Sequence, residues 1–442
     1  MKSNEKIKQM YNFISENLYL CMPDMRVQGD NFNSTLIFEM LSCLNNGKQL
    51  LFGEYGLGKT TSAELVSSLI DCIPKEVVIS SEIRGHPEQT EEKMIGRPDL
   101  GELNKGNESV LWNYFVMSNT KIIDEFNRLP PSKQNILIDG IDRGNWQYLS
   151  QLIQTGEFPL FATCNYEDSG NGALIEPILD RFDIATESKR PNITQMSIIK
   201  DIPSKVKNML NDKDIANKIF EIYNNKNLSY RSKLEAVQEF RGQYQSRIEK
   251  ETGLELLTSK EMKSIPEEIE DVKFSIDAEL YYSFIISELA TCQVKGMKRM
   301  NEPCIEGCHY SDFACNKVQN NLSMRSCNAL TKYSKALAWL QGNDEVTIDE
   351  LNTVLPYVIW HKANLKDDFL ANYVKSERTD PLRLYAAKQL SEDIRKRFTE
   401  QVPMIKNAIC TIREKGIEKG RAYMEDKDHP IYREFGKESW NQ

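Results

Sequence analysis

No hydrophobic run in this chain approaches the ~20 apolar residues that a membrane-spanning helix requires, so no such helix and no membrane insertion are expected. The opening stretch, MKSNEKIKQMYNFISENLYL, is too polar to carry the apolar centre of a secretory signal, and the expected location is the cytoplasm. Basic residues are not in excess either. Lys and Arg number 56 against 65 Asp and Glu, for a net charge of −9. Such a balance disfavours general nucleic-acid binding, which calls for a basic surface, although a local basic patch remains open. There is no internal repeat and no low-complexity tract. The ten cysteines are too few in 442 residues to form a secreted disulfide framework.

What is present is ordinary globular material, 40% hydrophobic and 27% charged, long enough for two or three domains. Up to about residue 190, short apolar runs alternate with helical patterns, as a parallel α/β sheet requires. The spacing predicts strands over 49–53, 77–80, 121–124, 159–164 and 183–186. Helices are expected over 60–70 and 132–141, with Pro130 and Pro131 suiting the start of the second. Beyond residue 190 strand signals stop. Helical spacing is found at 229–251, 277–292, 324–340 and 347–361, and the charged last eighty residues also read as helix. The predicted organisation is an α/β core over 1–189, an all-α domain over 190–362 containing a cysteine-rich loop (292–327), and a helical C-terminal extension over 363–442.

Residues 53–60, GEYGLGKT, match G-x-x-x-x-G-K-[ST] between a predicted strand and a predicted helix, the context this phosphate-binding loop requires. Glycines let backbone N–H groups turn inward around phosphates, and the helix N-terminus adds the positive end of its dipole. The candidate nucleotide-binding residues are Gly53, Glu54, Tyr55, Gly56, Leu57, Gly58, Lys59, Thr60 and Thr61. Lys59 is expected on the β- and γ-phosphates of ATP, and the Thr60 hydroxyl on Mg²⁺. Such a loop needs a carboxylate from a neighbouring strand to hold Mg²⁺ and a base to orient water. Asp124 and Glu125, ending the run KII, are assigned to those two tasks. Without the loop, an acidic strand end would be the ordinary reading of that pair.

The acidic pair continues into Asn127, Arg128, Pro130 and Pro131, and this combination resembles the AAA+ ATPases, within them the MoxR branch. The resemblance runs over about 30–190 and returns at 275–362. It implies a P-loop core with a parallel sheet, an all-α lid, ATP hydrolysis and a homo-oligomeric ring, usually a hexamer. It places Asn165, in FPLFATCN, as sensor 1, where a strand-terminal turn Asn is the alternative. It places Arg181, in LDRFD, as an arginine finger acting on the neighbouring subunit, where a salt bridge to Asp180 or Asp183 is the alternative. Arg325 falls at sensor 2, with a helix-surface Arg as the alternative. GNWQYLSQLIQTGEF, residues 144–158, looks like the hairpin this branch inserts before sensor 1. In the segment 80–101, Met94 and Ile95 beside Gly96 read equally as pore-facing residues or as part of a solvated loop.

Cys304, Cys308, His309 and Cys315 fall within twelve residues of a stretch with little periodicity. Four soft or borderline ligands suit a structural Zn²⁺, with Cys292 as an alternative to His309; an iron–sulfur cluster, unliganded thiols or a disulfide are the other readings. His86 and His361 stand alone and read as structural. The resemblance implies a chaperone-like motor that remodels a partner protein, of the kind that bears a von Willebrand A domain. A nucleic-acid-translocating motor, a chelatase-type motor subunit and a non-hydrolysing nucleotide-binding scaffold are the alternatives. Nucleic acid is disfavoured by the acidic charge.

Overall fold

The computed structural model describes residues 1–166, 174, 176–292, 297–298, 313–320, 322–416, 419, 429 and 431–432. The chain divides into two compact units, one of 1–269 with 339–342, the other of 270–338 with 343–442.

The first unit is built on a five-stranded sheet, flanked by helices. Its strands are β1 (Lys48–Phe52), β2 (Ile83–Arg84), β3 (Lys121–Asp124), β6 (Leu160–Cys164) and β7 (Ile184–Glu187). Between β3 and β6 lie β4 (Asn145–Tyr148) and β5 (Gln151–Gln154), which form the antiparallel hairpin expected over 144–158. The sheet order is β7–β1–β6–β3–β2, parallel throughout. Leu50, Leu51, Ile123, Leu160, Phe161 and Ala162 are fully buried, as strands covered on both faces demand. Register aligns Cys164 with Phe52 and Ala162 with Ile123, so the carboxyl ends of β1, β3 and β6 open on one edge. In an open α/β sheet this edge is where ligands bind.

Helix α1 (Ser34–Asn45) is capped by the Asn33 side chain, which accepts from the Leu36 N–H, and it stops at the left-handed Asn46. Helix α2 (Lys59–Ile70) leaves the phosphate loop directly from Gly58. Helix α3 (Pro131–Arg143) begins on a proline, as its sequence predicts, and ends at Gly144 with φ 62°.

One expected strand is a helix. The run VVIS over 77–80 is β-branched, but it lies within a helix over Lys75–Ser80, and the edge strand is Ile83–Arg84 instead. Pro74 presets the helix entry, and Val77 and Val78 bury as the helix packs on α2, so packing overrides a weak β preference. Met94 and Ile95, read as pore-facing or solvated, are neither: both are buried in this unit, at 0% and 2% exposure. The exposed apolar side chains nearby are Leu100 and Leu103, with Leu149 and Leu152 on the hairpin.

After β7 come helices, including α4 (Tyr230–Thr252), still within the first unit. The boundary expected at 189/190 therefore marks a change of secondary structure, whereas the compact units part at 269/270.

The second unit contains α5 (Ile276–Ala290), most of α6 (Met324–Gln341), α7 (Ile348–Ile359) and α8 (Leu382–Lys415). Helix α5 stops two residues short of its expected end. Thr291–Cys292 pair with Met297–Lys298 as a minimal ribbon, and Lys273–Phe274 pair with Glu345–Val346, so strands do recur after residue 190. The C-terminal helix α8 packs on α5 and α7. Buried Glu288 of α5 takes a two-pronged bond from Arg397 of α8, at 2.7 and 2.6 Å. The ring of His429 stacks on Phe284 at 3.9 Å. Removing either partner of such a buried pair strands an uncompensated charge. Among the described residues no helix is long and apolar enough to cross a membrane.

Candidate functional site

The site forms at the carboxyl edge of the first unit's sheet. The loop after β1 turns on Gly53, Gly56 and Gly58, with φ of 149°, 73° and 75°, a region that side chains bearing a β-carbon rarely adopt. At Gly58 the requirement is doubled, because a β-carbon would approach the Tyr19 ring to 3.0 Å. The Tyr19 hydroxyl donates to the Leu57 carbonyl at 3.3 Å, so the N-terminal segment braces the loop from outside. Burial pushes the Tyr19 phenol far up, which keeps it a neutral donor.

Lys59 is 7% exposed. Its Nζ donates to the carbonyls of Gly53 and Glu54, both at 2.8 Å, and to Asn165 Oδ1 at 2.7 Å. Burial lowers the ammonium below its ordinary value, while Asp124, Cys164 and Glu125 act in the opposite sense. The next residue, Thr60, donates from Oγ1 to Asp124 Oδ1 at 2.6 Å. A hydroxyl and a carboxylate so placed are the hard oxygen ligands that Mg²⁺ prefers, and the glycine loop beside them presents backbone N–H groups to phosphate. The residues present therefore fit a Mg²⁺–nucleotide.

Glu125 follows Asp124 in a left-handed conformation, φ 52°, ψ 47°. A non-glycine residue there is held by its surroundings, and such strain gathers at functional sites. The holding groups are visible. The Glu125 N–H donates to Thr163 Oγ1 at 2.8 Å, and Gly85 donates its N–H to the Asp124 carbonyl at 2.7 Å. The Glu125 side chain has two partners: Asn165 Nδ2 donates to Oε1 at 3.1 Å, and Arg128 Nη1 to Oε2 at 2.8 Å. Asn165 thus bridges Lys59 and Glu125. Its own carbonyl accepts from Asn127 Nδ2 at 2.9 Å.

Lys59, Thr60, Asp124, Glu125 and Asn165 are brought together by the fold. Arg181 lies in the same unit, where its Nε donates to Asp142 of α3 at 2.8 Å and its Nη1 to the Pro177 carbonyl. Its ion-pair partner here is thus Asp142, a residue outside the LDRFD segment. Arg325 is exposed near the start of α6, in the second unit. Of the expected zinc ligands, Cys304, Cys308 and His309 lie outside the described residues, as does the side chain of Cys292; Cys315 is described and buried. Among the described residues no group of three or more His, Cys, Asp or Glu is placed to hold a metal ion.

Three residues of the site escape a reading by motif. Thr163 gives its hydroxyl to Asp124 Oδ1 at 2.6 Å while accepting from Glu125. Its signal was the period of two: 163 and 165 share a face of β6 and its extension. Gly85 was hidden because only the fold lays it against Glu125. Arg128 was visible as part of the Asn-Arg pair, but not as a partner of Glu125.

Residues 48–182 match the family model described as AAA domain (dynein-related subfamily), and residues 313–382 match the AAA lid domain. A crystal structure described as a "putative ATPase" from Cytophaga hutchinsonii superposes with a TM-score of 0.55 at 17% identity, covering 89% of this chain and 94% of that one. At that identity the likeness concerns the fold. No curated protein matches. The phosphate loop and the paired carboxylates thus lie within an AAA domain at 48–182, which an AAA lid domain at 313–382 follows in the same chain.

Proposed function

We propose that this chain hydrolyses ATP and works as a MoxR-type motor, in a homo-oligomeric ring expected to be a hexamer, that remodels or assembles a partner protein. The supporting observation is the hydrogen-bonded convergence of Lys59, Thr60, Asp124, Glu125 and Asn165 at the carboxyl edge of the sheet.

In this reading the backbone of 53–61 and Lys59 hold the β- and γ-phosphates. Thr60 and Asp124 hold Mg²⁺, which when bound neutralises charge on the phosphate oxygens. Glu125 accepts a proton from water as the water oxygen bonds to the γ-phosphorus and the bond to the ADP oxygen breaks. The Asn165 amide orients that water, having both a donor and an acceptor to offer. Arg181 of one subunit supplies positive charge to the γ-phosphate of its neighbour; Arg325 is read as the sensor 2 residue of the lid.

The partner assignment rests on the resemblance of DEFNRLPP and of the lid sequence to the MoxR branch, and names a von Willebrand A domain protein. Phosphate release from Mg·ATP by the wild-type protein, compared with Lys59→Ala, tests the hydrolysis. Equal rates in the two proteins would end it. Adding DNA or a von Willebrand A domain protein to the same assay tests the partner: stimulation by DNA alone would replace the protein-remodelling reading with a nucleic-acid motor.

A further inference from the structure

A cavity of about 1020 Å³ opens within the first unit. It is bounded by the edge strand β2, the ribbon that pairs Gly96–Pro98 with Val110–Trp112, the hairpin strand β5 and the N-terminal turn of α4. Its volume is that of a site for one small molecule. Among the described residues none of the phosphate loop lines it.

Its walls leave positive charge and hydrogen-bond donors uncompensated. Lys233, in the first turn of α4, is 8% exposed, and its Nζ donates to the Tyr223 carbonyl at 2.6 Å. Burial pulls its ammonium below the ordinary lysine value, and no carboxylate acts in the opposite sense. A buried charge without a counter-charge is unfavourable, and an anion beside it relieves that. Tyr223 is 4% exposed and lines the same cavity, as does Tyr230. Among the described residues neither phenol hydroxyl has a hydrogen-bond partner. Burial pushes both phenols up to about 12, so both remain donors at neutral pH. The first turn of α4 holds no acid, which leaves the positive end of a 23-residue helix beside the same space.

Lys93 and Arg97 line the cavity from its exposed side, and among the described residues neither has an ion-pair partner. The fourth cation of the lining, Lys226, is paired with Asp99 at 2.5 Å. The acids of the lining are Glu82 and the exposed Glu92. Burial and the neighbouring Glu64 push the Glu82 carboxyl far above the ordinary carboxylate range, so it carries no charge at neutral pH. Positive charge therefore prevails here, in a chain whose net charge is −9. Trp112 adds a flat apolar surface. It is half-buried, and among the described residues no ring or cation packs on it. An indole face so placed takes a planar ring by stacking.

We propose that this cavity binds a nucleotide apart from the phosphate loop, with the base on Trp112 and the phosphates against Lys233, the Tyr223 and Tyr230 hydroxyls and the start of α4, and with Lys93 and Arg97 at the rim. A cavity of this volume in an acidic chain favours a single nucleotide over a nucleic-acid strand. The proposal goes beyond the ATPase reading and does not depend on hydrolysis.

Equilibrium dialysis of the full chain against labelled ADP with Mg²⁺ counts the bound equivalents and assigns them. Wild type should hold two per chain. Lys233→Met keeps the buried stem and removes the charge; one equivalent should weaken by about tenfold or more. Lys93→Ser/Arg97→Ser changes only exposed side chains and should weaken the same equivalent by roughly two- to tenfold. Lys59→Ala should weaken the other equivalent and leave this one. Pyrophosphate, which has no ring, should compete for this equivalent roughly tenfold more weakly than ADP, and Trp112→Leu should erase that difference. Binding lost with Lys59→Ala but indifferent to both Lys233→Met and the rim variant would overturn the proposal. So would pyrophosphate that competes as well as ADP, or a ten-residue oligothymidylate that displaces ADP from this equivalent more effectively than ADP itself. If instead the phosphate loop binds nothing, one equivalent remains, lost in Lys233→Met and kept in Lys59→Ala; that result defeats the ATPase reading and supports this one.

Discussion

Gly85 and Glu125 lie so close that a β-carbon on Gly85 would stand 2.1 Å from the Glu125 carbonyl oxygen. The edge strand and the turn at Glu125 are therefore in backbone contact, with no side chain between them. Gly85→Ala should cost roughly 1–3 kcal/mol of stability through overpacking and should lower ATP hydrolysis by moving Glu125. Gly242→Ala is the control, since nothing lies within 4 Å of its β-position on helix α4 and alanine favours a helix. Thermal melts and phosphate-release assays on both variants check this; a Gly85→Ala protein as stable and active as wild type would refute the close contact.

Glu125→Gln keeps the shape of the side chain and loses its capacity to take a proton. Hydrolysis should fall by about 10²–10⁴, the usual share of a general base, while ATP stays bound. Equilibrium binding of labelled ATP alongside turnover measures both. Turnover within a few-fold of wild type would remove Glu125 from the role of base.

Arg181 is held by Asp142 within its own chain. To act on a neighbouring subunit it must leave that partner. Asp142→Asn should raise ATP hydrolysis, by roughly fivefold if the pair is worth about 1 kcal/mol. Mixing Arg181→Ala with Glu125→Gln subunits should restore part of the activity that each variant lacks alone. An inactive mixture, across all ratios, would assign Arg181 to its own subunit or to structure.

Lys121 is fully buried, donates to the carbonyls of Phe115, Val116 and Ser118, and sits among the rings of Phe115, Trp146 and Phe158. Burial pushes its ammonium down to about 7 from the ordinary lysine value of 10.5. Between those values the unfolded chain binds the extra proton, so this group makes stability rise with pH, by at most about 1.4 kcal/mol per unit. The difference between wild type and Lys121→Met in urea midpoint, followed from pH 7 to pH 9, isolates the effect. A difference that does not vary with pH would show Lys121 charged throughout.

The nucleotide site was legible because its residues are local words. The spacing in 53–60, the paired carboxylates after KII and the Asn after FATC each reside in one short segment, and each segment's strand ends at the same edge of a parallel sheet. The hairpin over 144–158 was legible for the same reason. The strand expected at 77–80 was not, because β-branched residues prefer strands only weakly and a proline entry plus burial against α2 decided for helix. Met94 and Ile95 carry no local sign of burial; they stand directly before the strand that pairs Gly96 with Trp112, and both are buried.

By itself, then, the order of residues marked the candidate chemistry: a glycine loop whose backbone N–H groups suit phosphate, and two acids at a neighbouring strand end. These depend on backbone conformations and strand ends that neighbouring residues dictate. The tertiary structure alone decided which distant groups govern that chemistry. Thr163 on Asp124, Gly85 beneath Glu125 and Asp142 on Arg181 are contacts between segments far apart in the chain. Such contacts arise from sheet order and packing; the period of two puts Thr163 on the face of Asn165 but does not say which carboxylate it meets.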